Sequence, residues 1–387
     1  RAYGIPGGEV LVIIDALERA GIRFHLTKHE NFAGFMAEGT WHASGAPGIL
    51  VATVGPGVAN AVNVIANAHQ DRVPLIFLTG CLDGADADTY THQVFDHQAL
   101  LSGIVKGTFR ARAGSLDQVM DKALALATTG QPGPVHIDLP IRVAEGEANG
   151  PAKAPPAPPA AAAPVEGAEM AAARNLLAAA KRPIVIAGLD ALNDNAADAL
   201  RAFVTGAGAP LITTYKAKGM VDEADPLVLG GAGLSPLADR HLLPLLQASD
   251  CIVLAGYDPI EMRIGWRDPW PADAPVIDVT PVVRTHGMHS AAITLLGNIG
   301  ATLGALNASA GGRASWPGSE PSAARANLRN AYAPEPEGWG PAAAFHQLRK
   351  TLPANTVITA DSGAHRILLS QAWTCGAPRQ MLQSSAL

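Results

Sequence analysis

The sequence predicts an α/β protein built from several parallel-sheet domains, and three observations carry that prediction. A short β-branched run, a Gly-rich turn and an Ala/Leu-rich stretch of helical period recur in that order along the chain, the signature of βα units on a parallel sheet. The runs are apolar throughout rather than alternating, as strands covered by helices on both faces are. The chain has 387 residues, which at roughly 150 per domain leaves room for two to three such units.

Taken in order, Arg1 to Pro6 reads as the end of a strand entering a turn, as though the start of the element were missing. Phe24-His25-Leu26-Thr27 is strand-like and leads through Lys28-His29-Glu30 into a helix over 31–42. Residues 48–54, 74–78 and 134–139 are buried strands, and a helix runs from the turn at Gly55 through His69. These make a first domain, 1–150. Residues 151–166 form a Pro/Ala tract that favours polyproline II and reads as a linker. A central domain, 167–308, carries strands at 183–187, 210–214, 251–255 and 276–279. A Gly/Ser/Pro/Glu-rich stretch, 309–340, reads as a second linker, and 341–387 has room for a helix, the strand 356–360 and one more helix. One strand does not complete a parallel sheet. The expectation is a three-domain architecture whose third domain is only begun here, with the chain cut at both ends.

Hydrophobic residues at 48% and charged residues at 16% exclude an extended disordered chain. Lys+Arg 28 against Asp+Glu 34 gives a net charge of −6 with no basic cluster, so neither nucleic acid nor an anionic membrane surface finds an electrostatic footprint. No stretch reaches the roughly 18 to 20 apolar residues of a membrane span. Cys81, Cys251 and Cys375 are widely spaced and odd in number, which argues against a disulfide framework or zinc site and for a reducing, cytoplasmic location.

Three segments carry polar groups that chemistry can use. Gly55-Pro56-Gly57-Val58-Ala59-Asn60 follows a strand and opens a helix, so its amides can face an anion; the competing reading is plain backbone geometry. Glu30 sits in a helical first turn, where a glutamate also serves as a partner to the macrodipole. Tyr90-Thr91-His92-Gln93-Val94-Phe95-Asp96-His97 lies in a long connection after a buried strand, readable as a site loop or as a solvated loop. No Ser/His/Asp or Cys/His triad is spaced for catalysis.

In sequence order these segments resemble one family. Ile5-Pro6-Gly7-Gly8, His29-Glu30-Asn31 with Phe35-Met36-Ala37-Glu38-Gly39, Gly55-Pro56-Gly57 with Asn60, Val73-Pro74-Leu75 with Thr79-Gly80, and Gly130-Gln131-Pro132-Gly133-Pro134-Val135 with Asp138-Leu139-Pro140 resemble the N-terminal domain of thiamine-diphosphate-dependent enzymes, acetolactate synthase branch. The resemblance continues through Thr213-Thr214, Lys218-Gly219, Pro226-Leu227 and Leu229-Gly230, and again at Thr359-Ala360-Asp361-Ser362-Gly363 and Pro378-Arg379-Gln380. It implies a pyrimidine-binding domain, a central Rossmann-like domain and a diphosphate-binding domain, with the cofactor held between subunits of at least a homodimer, or of a homotetramer. It also implies that Mg²⁺ and the diphosphate are held by a Gly-Asp-Gly…Asn-Asn motif expected beyond Leu387.

On that resemblance Glu30 bonds N1′ of the aminopyrimidine, so that the cofactor can lose its C2 proton and attack a 2-oxo acid. Carbon dioxide leaves, and the remaining fragment is protonated to an aldehyde or joined to a second carbonyl compound. Cofactor contacts are implied at Pro6, Gly7, Glu30, Gly55, Pro56, Asn60, Gly363 and His365. Gln93 corresponds to a glutamine of the reaction centre in acetolactate synthases, where simple decarboxylases carry His-His; here the pair is His92-Gln93, which favours carboligation. The sequence departs from the pattern at Val94-Phe95, in place of Glu-Val, and at Ala364, in place of a glutamine or asparagine that helps seat the diphosphate. FAD stays open: Tyr257 to Arg263 matches only fragments of an Arg-Phe-Asp-Asp-Arg-like run, Arg263 is the candidate contact, and the alternative is a domain that kept its fold and lost the flavin. The runner-up activity is a 2-oxo-acid decarboxylase or related lyase, and the reading from another class is a non-catalytic scaffold or regulatory partner.

Overall fold

The computed structural model describes residues 1–147, 162, 164, 166–260, 262–307, 316–335 and 338–384. They fall in two compact units, one within Arg1–Pro159 and one within Ala160–Ser384.

The first unit holds a six-stranded sheet of β1 (Ala2–Gly4), β2 (Phe24–Leu26), β3 (Gly48–Ala52), β4 (Leu75–Cys81), β5 (Gly107–Arg110) and β6 (Pro134–Pro140). The order is β2-β1-β3-β4-β6-β5 and every pairing is parallel. Successive strand residues point to opposite faces, so Leu50 and Phe77 enter a core with Ala33, Val58 and Val64, while Val51 and Ile76 enter another with Val10, Ile13 and Ala123. Helices α2 (Glu30–Ser44) and α3 (Pro56–Gln70) cover the first face and α1 (Leu11–Arg19) the second. The His29 side chain caps α2 by accepting from the Asn31 amide at 3.1 Å, and Pro56 occupies the first turn of α3, where its missing N–H costs no intrahelical bond.

The second unit repeats the architecture with β7 (Pro183–Ala187), β8 (Leu211–Thr214), β9 (Val228–Ala232), β10 (Cys251–Ala255), β11 (Val276–Thr280) and β12 (Ile293–Leu296), in the order β12-β11-β10-β7-β8-β9, all parallel. That is the doubly wound arrangement in which the first strand is central. Further along, β13 (Ile358–Ala360) and β14 (Met381–Gln383) form a separate parallel pair. This stretch is tied to the second sheet: Lys216 Nζ donates to the Gln383 carbonyl at 2.7 Å, and the Cys375 amide donates to Glu223 Oε2 at 2.7 Å.

Four strands escaped the sequence reading: β5, β9, β12 and β14. The first three are edge strands, covered less completely and so marked by weaker apolar runs. The stretch 309–340 is not a bare linker. Glu320–Ala331 is a helix, anchored by buried Leu328 and by Tyr332, whose hydroxyl bonds Ser235; its high charged and small-residue content hid a single buried stripe. The Pro/Ala tract at 151–166 lies largely outside the described residues. Among the described residues no helix is long and apolar enough to cross a membrane.

Candidate active site

The order of the first sheet reverses between β1 and β3, and in open α/β sheets the crevice at such a point, beyond the carboxyl ends of the strands, is where ligands bind. Pro6 and Gly7 follow β1; the Gly7 carbonyl accepts from the Val10 amide and starts a single 3-10 turn, Gly8–Val10. Thr53 to Asn60 follows β3, and Thr53 Oγ1 bonds Glu9 across the crevice.

Glu30, at the first position of α2, is 5% exposed. Asn60 Nδ2, one turn into α3, donates to Glu30 Oε2 at 3.0 Å, and a Cβ on Gly57 would come within 3.3 Å of Oε1. Among the described residues no cation pairs with this carboxyl group. Gly55 has φ +65°, and a Cβ there would fall 2.2 Å from the Gln93 carbonyl oxygen, so only glycine lets the loop bearing Gln93 lie against this turn. Gln93 itself has φ +60° and is exposed, as is His92. The turn therefore brings together Glu30, Gly55, Pro56, Asn60 and the Gln93 backbone.

The turn offers fewer amides to an anion than its glycines suggest: Pro56 has no N–H, and the Gly55 amide donates to His97 Nε2 at 3.1 Å. His97 therefore carries its proton on Nδ1, which donates to Asp138 Oδ1 at 2.8 Å. Thr79 Oγ1 donates to the same oxygen at 2.8 Å and so accepts from His136 Nε2 at 2.8 Å; His136 Nδ1 then accepts from Thr108 Oγ1 at 2.7 Å. Burial works to raise the Asp138 pKa, but the close His136 ring and the hydrogen bonds from His97 and Thr79 override it and hold the carboxyl well below the usual range. His97, His136 and Asp138 converge closely enough to hold a metal ion, yet each of their ring nitrogens already has a hydrogen-bond partner, so the cluster reads as a closed polar network. Sequence reasoning missed it. The partners of His97 stand 42 and 41 residues away, and no local spacing encodes that.

Residues 1–100 match the family model described as the thiamine pyrophosphate enzyme N-terminal TPP binding domain, and residues 170–306 match that of the central domain. Over 394 residues the chain is 30% identical to the acetolactate synthase isozyme 1 large subunit of Escherichia coli, covering 99% of this chain and 68% of that protein. It is 31% identical over 399 residues to a probable 2-ketoarginine decarboxylase of Pseudomonas aeruginosa, covering 98% and 68%. The chain belongs to the thiamine-diphosphate-dependent enzymes. It is also 35% identical over 263 residues to a probable acetolactate synthase large subunit of Methanococcus aeolicus, covering 66% of this chain and 43% of that one.

For a member of this family the Glu30 cradle fits the aminopyrimidine end of thiamine diphosphate: a buried carboxyl with no cationic partner among the described residues, oriented by Asn60 and approached closely by Gly57, which has no Cβ. Two further expected contacts lie in the second unit, Gly363 as the cap of the helix Ala364–Ala372 and His365 exposed in its first turn. Flavin fits less well. In the second sheet the order reverses between β7 and β10, and there a Cβ on Gly188 would stand 2.6 Å from the Gly256 carbonyl oxygen. Asp190, Tyr257 and Asp258 follow these glycines and are buried, and Arg284 pairs with Asp190 at 2.9 Å. A dinucleotide diphosphate needs donors at that crevice, and there the Arg284 guanidinium is already drawn to a buried carboxylate of the chain. Arg263 is exposed, with its guanidinium 3.3 Å from Asp239.

Proposed function

We propose that the enzyme decarboxylates a 2-oxo acid and joins the remaining fragment to a second carbonyl compound, as an acetolactate synthase does; with pyruvate as donor and acceptor, two pyruvates and a proton give one acetolactate and one carbon dioxide. The observation that carries the reading is the buried Glu30 carboxyl, held by Asn60 at 3.0 Å at the switch point of the first sheet. Thiamine diphosphate, when bound, supplies the nucleophilic carbon. The chain's own contributions are the Glu30 carboxyl group that exchanges a proton with the pyrimidine ring, Asn60 that orients it, and low exposure that keeps water from competing. Pro6, Gly7, Gly55, Pro56, Gly363 and His365 belong to the proposed cofactor surroundings, with Mg²⁺ at the diphosphate and a homodimer or homotetramer as the working assembly in the cytoplasm. The crowding of Gly188 and Gly256 and the buried Asp190 support a central unit that works without FAD.

A decarboxylase that releases an aldehyde is the second reading, favoured by the 31% identity to the probable 2-ketoarginine decarboxylase. The test of the shared chemistry is Glu30→Gln in the enzyme loaded with thiamine diphosphate and Mg²⁺, read by NMR exchange of the cofactor C2 proton. Loss of exchange in a folded variant supports the reading, and exchange at the unmutated rate removes Glu30 from the mechanism. A non-catalytic scaffold would show no exchange in either protein.

A further inference from the structure

We propose that His97 is a positioning residue: by accepting the Gly55 amide at Nε2 it fixes the turn that seats Glu30, and so couples the loop carrying Gln93 to the proton-transfer carboxyl. The inference rests on the reading of Glu30 above and adds a residue that touches neither cofactor nor substrate in that reading.

The argument is one of linked constraints. Gly55 is held in a left-handed conformation with its Cα face against the Gln93 carbonyl. Glycine reaches this conformation without strain, so the contacts around the turn are what select it. The surrounding element here is His97, 3% exposed, whose ring is gripped from behind by Asp138. Asp138 in turn is fixed by Thr79 on the neighbouring strand, and Thr79 by His136 and Thr108. Five side chains from three strands and the start of one helix thus end on a single backbone N–H, which starts α3. From there Gly57 and Asn60 meet Glu30 directly. The Gln93 loop leads straight into the helix His97–Leu101, capped by Asp96 accepting from the Ala99 amide at 2.9 Å, so His97 anchors the end of that loop as well. A buried amide needs a partner, and loss of the acceptor leaves this one without.

A cavity of about 310 Å³ adjoins the ring and is lined by Val54, Cys81, Phe95, Arg110 and Asp138 among others, so a substituted side chain has room to settle.

The experiment compares His97→Phe, which keeps the ring and removes the acceptor, with His97→Gln, which restores an acceptor oxygen. Amide hydrogen exchange is first measured on the protein without cofactor. The Gly55 amide in His97→Phe should exchange at least about tenfold faster, and in His97→Gln close to the unmutated rate, while the amides of β4 and β6 stay protected in both. C2 proton exchange of bound thiamine diphosphate should follow the same order, slowed in His97→Phe and recovered in His97→Gln. Three results overturn the proposal: a Gly55 amide as protected in His97→Phe as in the unmutated protein, a His97→Gln variant as impaired as His97→Phe, or C2 exchange indifferent to both. Failure of the unmutated enzyme to bind thiamine diphosphate would instead sink the functional reading, and the Gly55 amide would still decide whether His97 holds the turn.

Discussion

The two sheets are built to one plan and differ in what stands at the point where strand order reverses. Beyond β1 and β3 a glutamate is buried, and among the described residues only an amide side chain is bonded to its carboxyl group. Beyond β7 and β10, and within β11, the carboxylates are equally buried but already have nitrogen neighbours in the chain: Arg284 lies 2.9 Å from Asp190 Oδ2 and 4.0 Å from Asp278 Oδ2, and His289 Nε2 lies 3.4 Å from Asp278 Oδ2. A doubly wound sheet offers a crevice at its switch point whether or not it is used. Whether the charge placed there is left for a ligand or satisfied within the chain separates a site from a scaffold.

The sharpest contrast comes from removing one charge in each. Glu30→Gln should slow C2 proton exchange by about 10² to 10⁴-fold, the usual worth of a positioned acid or base, with a melting temperature close to that of the unmutated protein. Arg284→Met should do the reverse, removing the cation beside buried Asp190 and Asp278 and destabilising the second unit by about 3 to 5 kcal/mol. Denaturant melts followed by exchange protection in each sheet separate the two effects. Equal stability losses in both variants would erase the distinction.

Most of this contrast was readable before the structure in the first unit and almost none of it in the second. Glu30, Gly55 and Asn60 lie within contiguous motifs that follow strands, so order along the chain was enough to assemble them. The Asp190–Arg284–Asp278 cluster joins a short helix, a loop and a strand, and the His97–Asp138 network joins a helix start to a strand 41 residues on; neither has a period or a spacing. Edge strands such as Gly107–Arg110 and Ile293–Leu296 failed for another reason. Their outer neighbours are missing, and part of their surface tolerates polar residues. The helix Glu320–Ala331 was hidden because one buried leucine and a tyrosine beyond its end suffice to dock it.

A smaller effect tests the polar network itself. The Asp138 pKa is depressed on folding, so its contribution is fully present above the unfolded carboxylate value of about 3.9 and is lost as pH falls through the folded value. Asp138→Asn should therefore be less stable than the unmutated protein at pH 7 by about 1.5 to 3 kcal/mol, the worth of hydrogen bonds to a charged group. The difference should narrow in melts repeated at progressively lower pH. A gap that stays constant down the acid limb would mean that Asp138 is not the anion of the network.

The smallest expected effect concerns the product. Once carbon dioxide has left, the two enzymatic readings differ only in whether an acid protonates the remaining fragment before an acceptor arrives. Gln93 presents a neutral amide from a loop whose backbone is fixed against Gly55, with its own φ at +60°, whereas His92 stands one residue earlier with its ring edge-on to Tyr90 at 6.3 Å. Backbone contact thus places Gln93, and not His92, against Gly55. The proposed carboligase should make acetolactate in excess of acetaldehyde from pyruvate, and Gln93→His should move the ratio toward aldehyde by a few-fold, on the order of 1 kcal/mol in relative barrier. Chromatography of the products decides it. Acetaldehyde in excess from the unmutated enzyme would promote the decarboxylase, and a ratio untouched by Gln93→His would place the deciding acid on another residue.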